Sequence, residues 1–199
     1  DALPICSNLL HRKLDIPQNQ KIVLYQGAVS AGRGLETMAT AVRELPGATG
    51  VVLGNGALIE DYRARVTAGK WPRMYLPGKV PLAELPAYTA SADVGLALIQ
   101  NTCRSYYFAL PNKLFEYIQA GIPVIGSNLP EIANVITTYQ VGEVVDPDDP
   151  AAVAAALQNL LDDPHYYARA RANTTHAAHI FNWEHESEKL INLYAGLEK

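Results

Sequence analysis

The chain has 199 residues, of which 49% are hydrophobic, and its formal net charge is −4 at pH 7. This is enough apolar material for one sizeable core, and the charge provides no basic field for nucleic acid or an anionic membrane. No apolar run reaches the roughly 18 residues of a membrane span, and we see no signal peptide. Cys6 and Cys103 are isolated along the chain, which favours a reducing compartment, so we expect a cytoplasmic location.

The first 20 residues read as a linker, and the chain begins at Asp1, so we expect a fragment of a longer protein. From residue 21 onward, short apolar β-rich runs alternate with helical patterns. The predicted strands cover 21–27, 50–56, 73–78, 93–99, 122–127 and 141–146. The predicted helices between them lie near 34–45, 57–68, 82–91, 112–120 and 130–138. Because continuous apolar strands are typical of a sheet buried on both faces, the pattern predicts an α/β fold with a doubly wound, mostly parallel, six-stranded Rossmann-like sheet.

Extra helices follow the last strand. Asp149 and Asp163 each precede a proline, which is the pattern of a capped helix start, and a third helix begins at about Asn182. We therefore divide the chain into a lead-in at 1–20, a Rossmann-like domain at 21–180 and a C-terminal helix at 181–199.

The loop after the first predicted strand is rich in glycine. In the segment QGAVSAGRG, Gly27, Gly32 and Gly34 surround one cation, Arg33. Ligands of open α/β sheets bind beyond the carboxyl ends of the strands, and glycines let the backbone approach a phosphate that an arginine can grip. A flexible turn with a solvated arginine is an equally open interpretation.

A second stretch, ALPNKLFEY, begins a helix with polar residues. Pro111 suits the first turn, so the free N–H groups of Asn112 and Lys113, with the positive end of the helix dipole, would face a cleft that fits a diphosphate. Asn112, Lys113 and Glu116 share a face by spacing, and Glu116 is suited to accept hydrogen bonds from two ribose hydroxyls. The alternative is an exposed glutamate paired with Lys113.

Two other groups of residues are open to functional interpretation. His176, His179 and His185 have no cysteine or well-spaced carboxylate to complete a ligand set, so we expect surface histidines and no metal site. The aromatic run at 106–108 either stacks on a sugar or packs its own loop.

Five segments in register resemble a known family. In chain order they are YQGAVSAGRGLETMATAVREL, LGNG, LPGKVPLAELPAYTASADVGLALI, ALPNKLFEYIQAGIPVIGSNLPEIANVI and GEVVDPDDPAAVAAALQNLL. Together they resemble the C-terminal, donor-binding domain of family 4 (group 1) glycosyltransferases. These are GT-B enzymes, in which two Rossmann-like domains face each other across a cleft, and the resemblance extends over nearly the whole chain.

The resemblance implies a role for each matching residue. By position, Glu116 is similar to the glutamate that binds the nucleotide ribose, and Lys79 and Val80 fall where the family holds the base. The diphosphate would be bound by Gly27, Arg33, Leu110, Pro111, Asn112 and Lys113, and the donor sugar by Tyr107, Phe108 and Ala109.

Two positions depart from the family. It often has a sugar-contacting glutamate where this chain has Phe108, and a basic residue where it has Ala28. We therefore expect Arg33, Lys113 and helix N-termini to carry the neutralisation of the phosphates.

The resemblance also implies an activity. A sugar would pass from a UDP- or GDP-sugar to an acceptor hydroxyl with retention at the anomeric carbon, without a metal or other cofactor. The acceptor would bind to an N-terminal domain that this chain lacks and against which the last helix packs, so the chain alone would bind donor but be inactive. We expect no nucleic-acid partner and no direct membrane binding by this part. A nucleotide-sugar epimerase of the same architecture and a non-catalytic nucleotide-sugar-binding module remain alternatives.

Overall fold

The computed structural model describes residues 8–197, which contain six strands and ten helices. The strands are β1 (Lys21–Gln26), β2 (Ala48–Leu53), β3 (Met74–Gly78), β4 (Val94–Ala97), β5 (Val124–Ser127) and β6 (Gly142–Val145). The helices are α1 (Leu9–Leu14), α2 (Leu35–Glu44), α3 (Ile59–Thr67), α4 (Leu85–Ala90), α5 (Arg104–Tyr107), α6 (Asn112–Gln119), α7 (Pro130–Tyr139), α8 (Pro150–Asp162), α9 (Pro164–Ala178) and α10 (Trp183–Leu197). In the same range, no helix has the length and apolar character needed to cross a membrane.

The six strands form one sheet in the order β3-β2-β1-β4-β5-β6, and every pairing in it is parallel. β1 pairs along its whole length with β2, from Lys21 opposite Ala48 to Gln26 opposite Leu53. The chain builds outward from β1 to β3 and then returns to the other side of β1 with β4. This reversal opens a crevice at the carboxyl ends of the central strands, where such folds bind ligands. The predicted α/β, doubly wound sheet is confirmed.

Helices cover both faces of the sheet because the central strands are apolar on both faces. Along β1, Val23 and Tyr25 belong to a core cluster with α2, α3 and α8, whereas Ile22 and Leu24 belong to a second cluster with α1, α6 and α7. This alternation follows from the two-residue repeat of a strand. The site at the strand ends is therefore held between two packed layers.

The predicted caps after β6 are present in the structure. The Asp149 carboxylate accepts hydrogen bonds from the backbone N–H groups of Ala151 and Ala152 at 2.9 and 3.1 Å. Asp163 caps α9 in the same way. Each side chain satisfies N–H groups that would otherwise lack a partner at the helix start.

Two short helices were not predicted. The lead-in assigned to 1–20 contains α1, from which Leu10 is buried and donates its backbone N–H to Ser91 Oγ at 3.3 Å. The remaining described residues up to 20 include Ile16, which is also buried. The other addition is α5, which has only four residues. Both are too short to show a helical repeat in the sequence. Cys6 lies outside the described residues.

The C-terminal helix α10 has 15 residues, and none of them is buried. Trp183, Ile191 and Leu197 are 70%, 66% and 74% exposed. The chain is anchored just before this helix, because the Phe181 ring contacts those of Phe115 and Tyr139 at centroid distances of 5.0 and 4.8 Å. The described chain therefore leaves the apolar side chains of α10 uncovered.

Candidate functional site

A cavity of about 390 Å³ lies at the carboxyl ends of β1, β2 and β3. The loop glycine Gly27, the predicted base residues Lys79 and Val80, and the predicted ribose residue Glu116 all line it. Gly27 has a φ of +130°, a region that favours glycine, and its N–H donates to the carbonyl of Leu53 at 2.9 Å. Four predicted residues from three distant segments therefore meet in one cavity.

A larger groove of about 980 Å³ adjoins this cavity on the other side of Glu116. The predicted residues Leu110 and Asn112 line it, and the groove shares Gln26, Leu85 and Glu116 with the smaller cavity. The rest of its wall is largely apolar and includes side chains such as Leu82, Phe115, Phe181 and Trp183. Glu116 therefore borders both spaces.

Glu116 is held by a residue that the sequence did not single out. Its Oε2 accepts a hydrogen bond from Nε2 of Gln26 at 2.5 Å. Gln26 is the last residue of β1 and is 2% exposed, and its Oε1 accepts from the hydroxyl of Thr89 at 2.7 Å. Among the described residues, no ion pair joins Glu116 to Lys113, so the exposed-pair alternative is not formed.

Lys113 lies beneath the glycine loop. Its side chain is 8% exposed, and Nζ is 3.5 Å from the centroid of the Tyr25 ring. A Cβ added to Gly27 would lie 3.4 Å from Nζ. Burial, together with the charge of Arg33, lowers the pKa of Lys113 to about 7, and the nearby Glu116 opposes this shift.

The sequence predicted that Asn112, Lys113 and Glu116 share one face of α6. This prediction is wrong for Lys113. Asn112 and Glu116 are exposed, whereas Lys113 is directed inward. The reason is that Lys113 lies one turn before Tyr117, which is fully buried, so the two share the inward side of α6. Pro111 is the N-cap of α6, and no side chain caps this helix start.

Arg33 contributes a second cation near the same loop. Its Cζ is 4.6 Å from the centroid of the Tyr106 ring, and its Nε is buried without a hydrogen-bond partner in the described part of the chain. A buried N–H without an acceptor is unfavourable, and a bound anion would satisfy it. The flanking glycines are needed here, because Gly34 has a φ of +69° and a Cβ on it would lie 2.4 Å from Cβ of Leu98.

The residues predicted to contact the donor sugar lie apart from these cavities. Tyr107 and Phe108 are exposed and contact each other edge to face at 4.9 Å, and Ala109 packs against the core. None of the three lines either of the two cavities. The predicted base, ribose and loop residues therefore line one cavity. The residues predicted to contact the sugar do not line it.

Comparison with known proteins identifies the family. The model for "Glycosyl transferases group 1" matches residues 20–163, which is well over half of the chain. The chain belongs to the group 1 glycosyltransferases. One relative is D-inositol 3-phosphate glycosyltransferase of Corynebacterium efficiens, which is 28% identical over 195 residues, covering 92% of this chain and 45% of the relative.

Solved structures show the same fold. Sucrose-phosphate synthase from Thermosynechococcus elongatus superposes with a TM-score of 0.80 at 24% identity, covering 94% of this chain and 48% of the synthase. HepE of Anabaena, solved in complex with UDP-glucose, has a TM-score of 0.83 at 15% identity, covering 98% of this chain and 54% of HepE. The chain thus spans about half the length of these relatives, as expected of the C-terminal domain of a GT-B glycosyltransferase.

In this group 1 glycosyltransferase domain, the loop after β1 contacts both Tyr25 and Lys113. Ala28 follows the loop glycine, and its carbonyl accepts a hydrogen bond from the Tyr25 hydroxyl at 2.6 Å. The Lys113 amine lies over the same Tyr25 ring. The amine of Lys113 therefore reaches the loop from α6, whereas residue 28 itself is uncharged.

Proposed function

We propose that this chain is the donor-binding domain of a retaining glycosyltransferase and binds a nucleotide-diphosphate sugar at the carboxyl ends of its central strands. The observation that carries the proposal is the shared cavity of Gly27, Lys79, Val80 and Glu116. Crystal structures of HepE with UDP and with UDP-glucose support it by analogy of fold.

The proposed contacts combine the lining of the cavity with the roles that the family resemblance implies. The base binds beside Lys79 and Val80, and the Glu116 carboxylate accepts hydrogen bonds from the ribose hydroxyls. The donor sugar extends from the diphosphate toward Tyr107, Phe108 and Ala109. The diphosphate is bound by Gly27, Arg33, Leu110, Pro111, Asn112 and Lys113.

Positive charge would drive the transfer. As the bond between the anomeric carbon and the diphosphate oxygen breaks, its electron pair stays with the diphosphate. The acceptor hydroxyl oxygen forms the new bond on the same face of the sugar, and its proton passes to the departing diphosphate. The growing negative charge is stabilised by Arg33, by Lys113 and by the uncapped start of α6. In this proposal the chain's own residues supply that charge, with no resident metal or other cofactor. UDP- and GDP-sugars are the proposed donors.

The proposal extends to the longer protein. The uncovered apolar residues of α10 support a role for this helix in packing against an N-terminal domain that binds the acceptor. The chain alone would then bind donor without transferring it. Membership in the group 1 glycosyltransferases favours transfer over epimerisation, and the scarcity of cysteine supports a cytoplasmic location.

A thermal-shift panel tests the proposal directly. UDP, GDP and ADP are added to the chain at equal concentration, with uridine, guanosine and adenosine as matched controls that lack the diphosphate. Because a ligand that binds only the folded state raises the melting temperature, we expect a shift of several degrees with UDP or GDP and a smaller one with the nucleoside. Equal shifts for nucleotide and nucleoside would contradict the diphosphate site, and no shift with any of the six would contradict donor binding by this domain.

A further inference from the structure

Gln26 occupies an unusual position for a polar side chain. It ends a buried parallel strand, is 2% exposed, and lines both cavities. Its backbone N–H donates to the hydroxyl oxygen of Tyr117 at 3.1 Å, so the strand end is fixed against α6. A buried amide with bonds on both its oxygen and its nitrogen has a single orientation, and such a group holds its partners in turn.

The direction of the hydrogen bonds follows from the chemistry of the partners. The Glu116 carboxylate only accepts, so the Gln26 amide must turn its NH₂ group toward it. The amide oxygen of Gln26 then faces Thr89, whose hydroxyl has one proton to donate. Thr89 is 1% exposed, and its hydroxyl lies 2.7 Å from the Gln26 amide oxygen and 2.8 Å from the Leu85 carbonyl. The resulting relay runs from Thr89 through Gln26 to Glu116.

This relay restrains a side chain that would otherwise be free. Glu116 is exposed on the outer side of α6, where the terminal torsion of a glutamate is broad. The bond to Gln26 holds Oε2. It leaves Oε1, at the border of the two cavities, without a hydrogen bond from the described residues. A ligand that meets an already oriented carboxylate loses less conformational entropy on binding.

We propose that Gln26, oriented by Thr89, is a positioning residue that fixes Glu116 and thereby sets the discrimination between a ribose and a 2′-deoxyribose nucleotide. The inference rests on the proposed function, in which Glu116 accepts from the ribose hydroxyls. A fixed carboxylate cannot turn toward the 3′-hydroxyl when the 2′-hydroxyl is missing, so the deoxynucleotide loses a full hydrogen bond to a charged acceptor. A mobile carboxylate adjusts and loses less.

The test compares dissociation constants of UDP and GDP with those of their 2′-deoxy forms, by isothermal titration of the chain. For the wild type we expect the deoxynucleotide to bind about 10- to 100-fold more weakly, the range for losing a hydrogen bond to a charged group. Gln26→Met keeps the length of the side chain but removes its hydrogen bonds, and we expect it to reduce this ratio at least about fivefold.

Two threonine variants distinguish a specific change in this ratio from a general loss of stability. Thr89→Val removes the donor to Gln26 and is expected to lower the ratio about two- to threefold, which also keeps the inference testable if Gln26→Met does not fold. Thr49→Val is the matched control, because the Thr49 hydroxyl donates to the side chain of Gln20 at 3.1 Å away from the cavities. We expect Thr49→Val to leave the ratio unchanged.

The outcomes separate this inference from the proposed function. If the wild type discriminates and Glu116→Ala loses that discrimination while Gln26→Met and Thr89→Val retain it, Gln26 is only structural and the inference is overturned. If the wild type binds neither UDP nor GDP, the proposed function fails and the inference with it. A reduced ratio in both relay variants, with Thr49→Val unchanged, supports the inference.

Discussion

Two cations, Arg33 and Lys113, approach the same glycine loop without a carboxylate to pair with either one among residues 8–197. Such an arrangement reduces stability, because each charge raises the free energy of the other and Lys113 is also removed from water. Residues that destabilise a fold in this way are typical of sites that bind an opposite charge. In the proposed function, a bound diphosphate would offset this cost.

The first prediction at the residue scale concerns Lys113 and pH. Its pKa is lowered from 10.5 to about 7 in the folded chain, so between about pH 7 and 10.5 the unfolded state holds a proton that the folded state has released. The free energy of unfolding contributed by this group therefore rises with pH across that window, and its burial is most unfavourable at and below pH 7. Lys113→Met should be more stable than wild type at pH 6.5, by about 1–4 kcal/mol, and the difference should shrink toward pH 10.

Urea unfolding of both proteins at pH 6.5, 8 and 9.5 measures this difference. Lys79→Met is the matched control, because Lys79 lines the same cavity but is exposed, and we expect it to show no such trend. A difference between Lys113→Met and wild type that is constant with pH would contradict the lowered pKa of the buried lysine.

At this scale the sequence predicted four residues that meet in one cavity, and their binding roles stay predictions. Gly27, Lys79, Val80 and Glu116 meet as the motif positions implied, because loops after neighbouring parallel strands converge at one edge of the sheet. Gln26 and Thr89 were missed, since their contact joins residues 63 apart in sequence and neither has a local pattern. A glutamine at the end of the apolar run KIVLYQ was the one signal available.

Among the elements, α6 and α10 differ in what holds them. α6 buries Leu114, Tyr117 and Ile118, so the core fixes the orientation of the helix and the position of the Glu116 backbone. α10 buries nothing, although its apolar residues are as numerous as those of a packed helix. The sequence predicted both helices correctly, because the signals for a helix are local. It could not show how many of their apolar side chains are buried within this chain.

A pair of truncations tests this difference between elements. Leu157→Ala in α8 removes a fully buried side chain and should cost about 2–5 kcal/mol of unfolding free energy. Leu193→Ala in α10 removes one that is 63% exposed and should change it by less than about 0.5 kcal/mol. Both values come from chemical denaturation of this chain. Comparable losses in the two variants would mean that α10 is packed against the domain.

For the whole molecule, the alternation of apolar strands and helices was enough to predict the fold class. Predicting the strand order β3-β2-β1-β4-β5-β6 also requires right-handed crossovers and the position of the reversal beside β1. The sequence does not show where this reversal occurs. That reversal positions the loop after β1 opposite α6, which brings Arg33 and Lys113 to one place. The chain also spans only 45% of the length of its Corynebacterium efficiens relative. Donor binding is therefore the part of the proposed function that can be tested on this chain alone.

The most direct test of the central claim is an isothermal titration of UDP and GDP into the wild type and into Glu116→Ala. Glu131→Ala, which removes an exposed glutamate from α7, is the control. We predict that one nucleotide binds the wild type and the control equally and binds Glu116→Ala more weakly by about 2–3 kcal/mol, because a charged acceptor for the ribose is lost. Binding to folded Glu116→Ala with wild-type affinity, or no binding of either nucleotide to the wild type, would contradict the account.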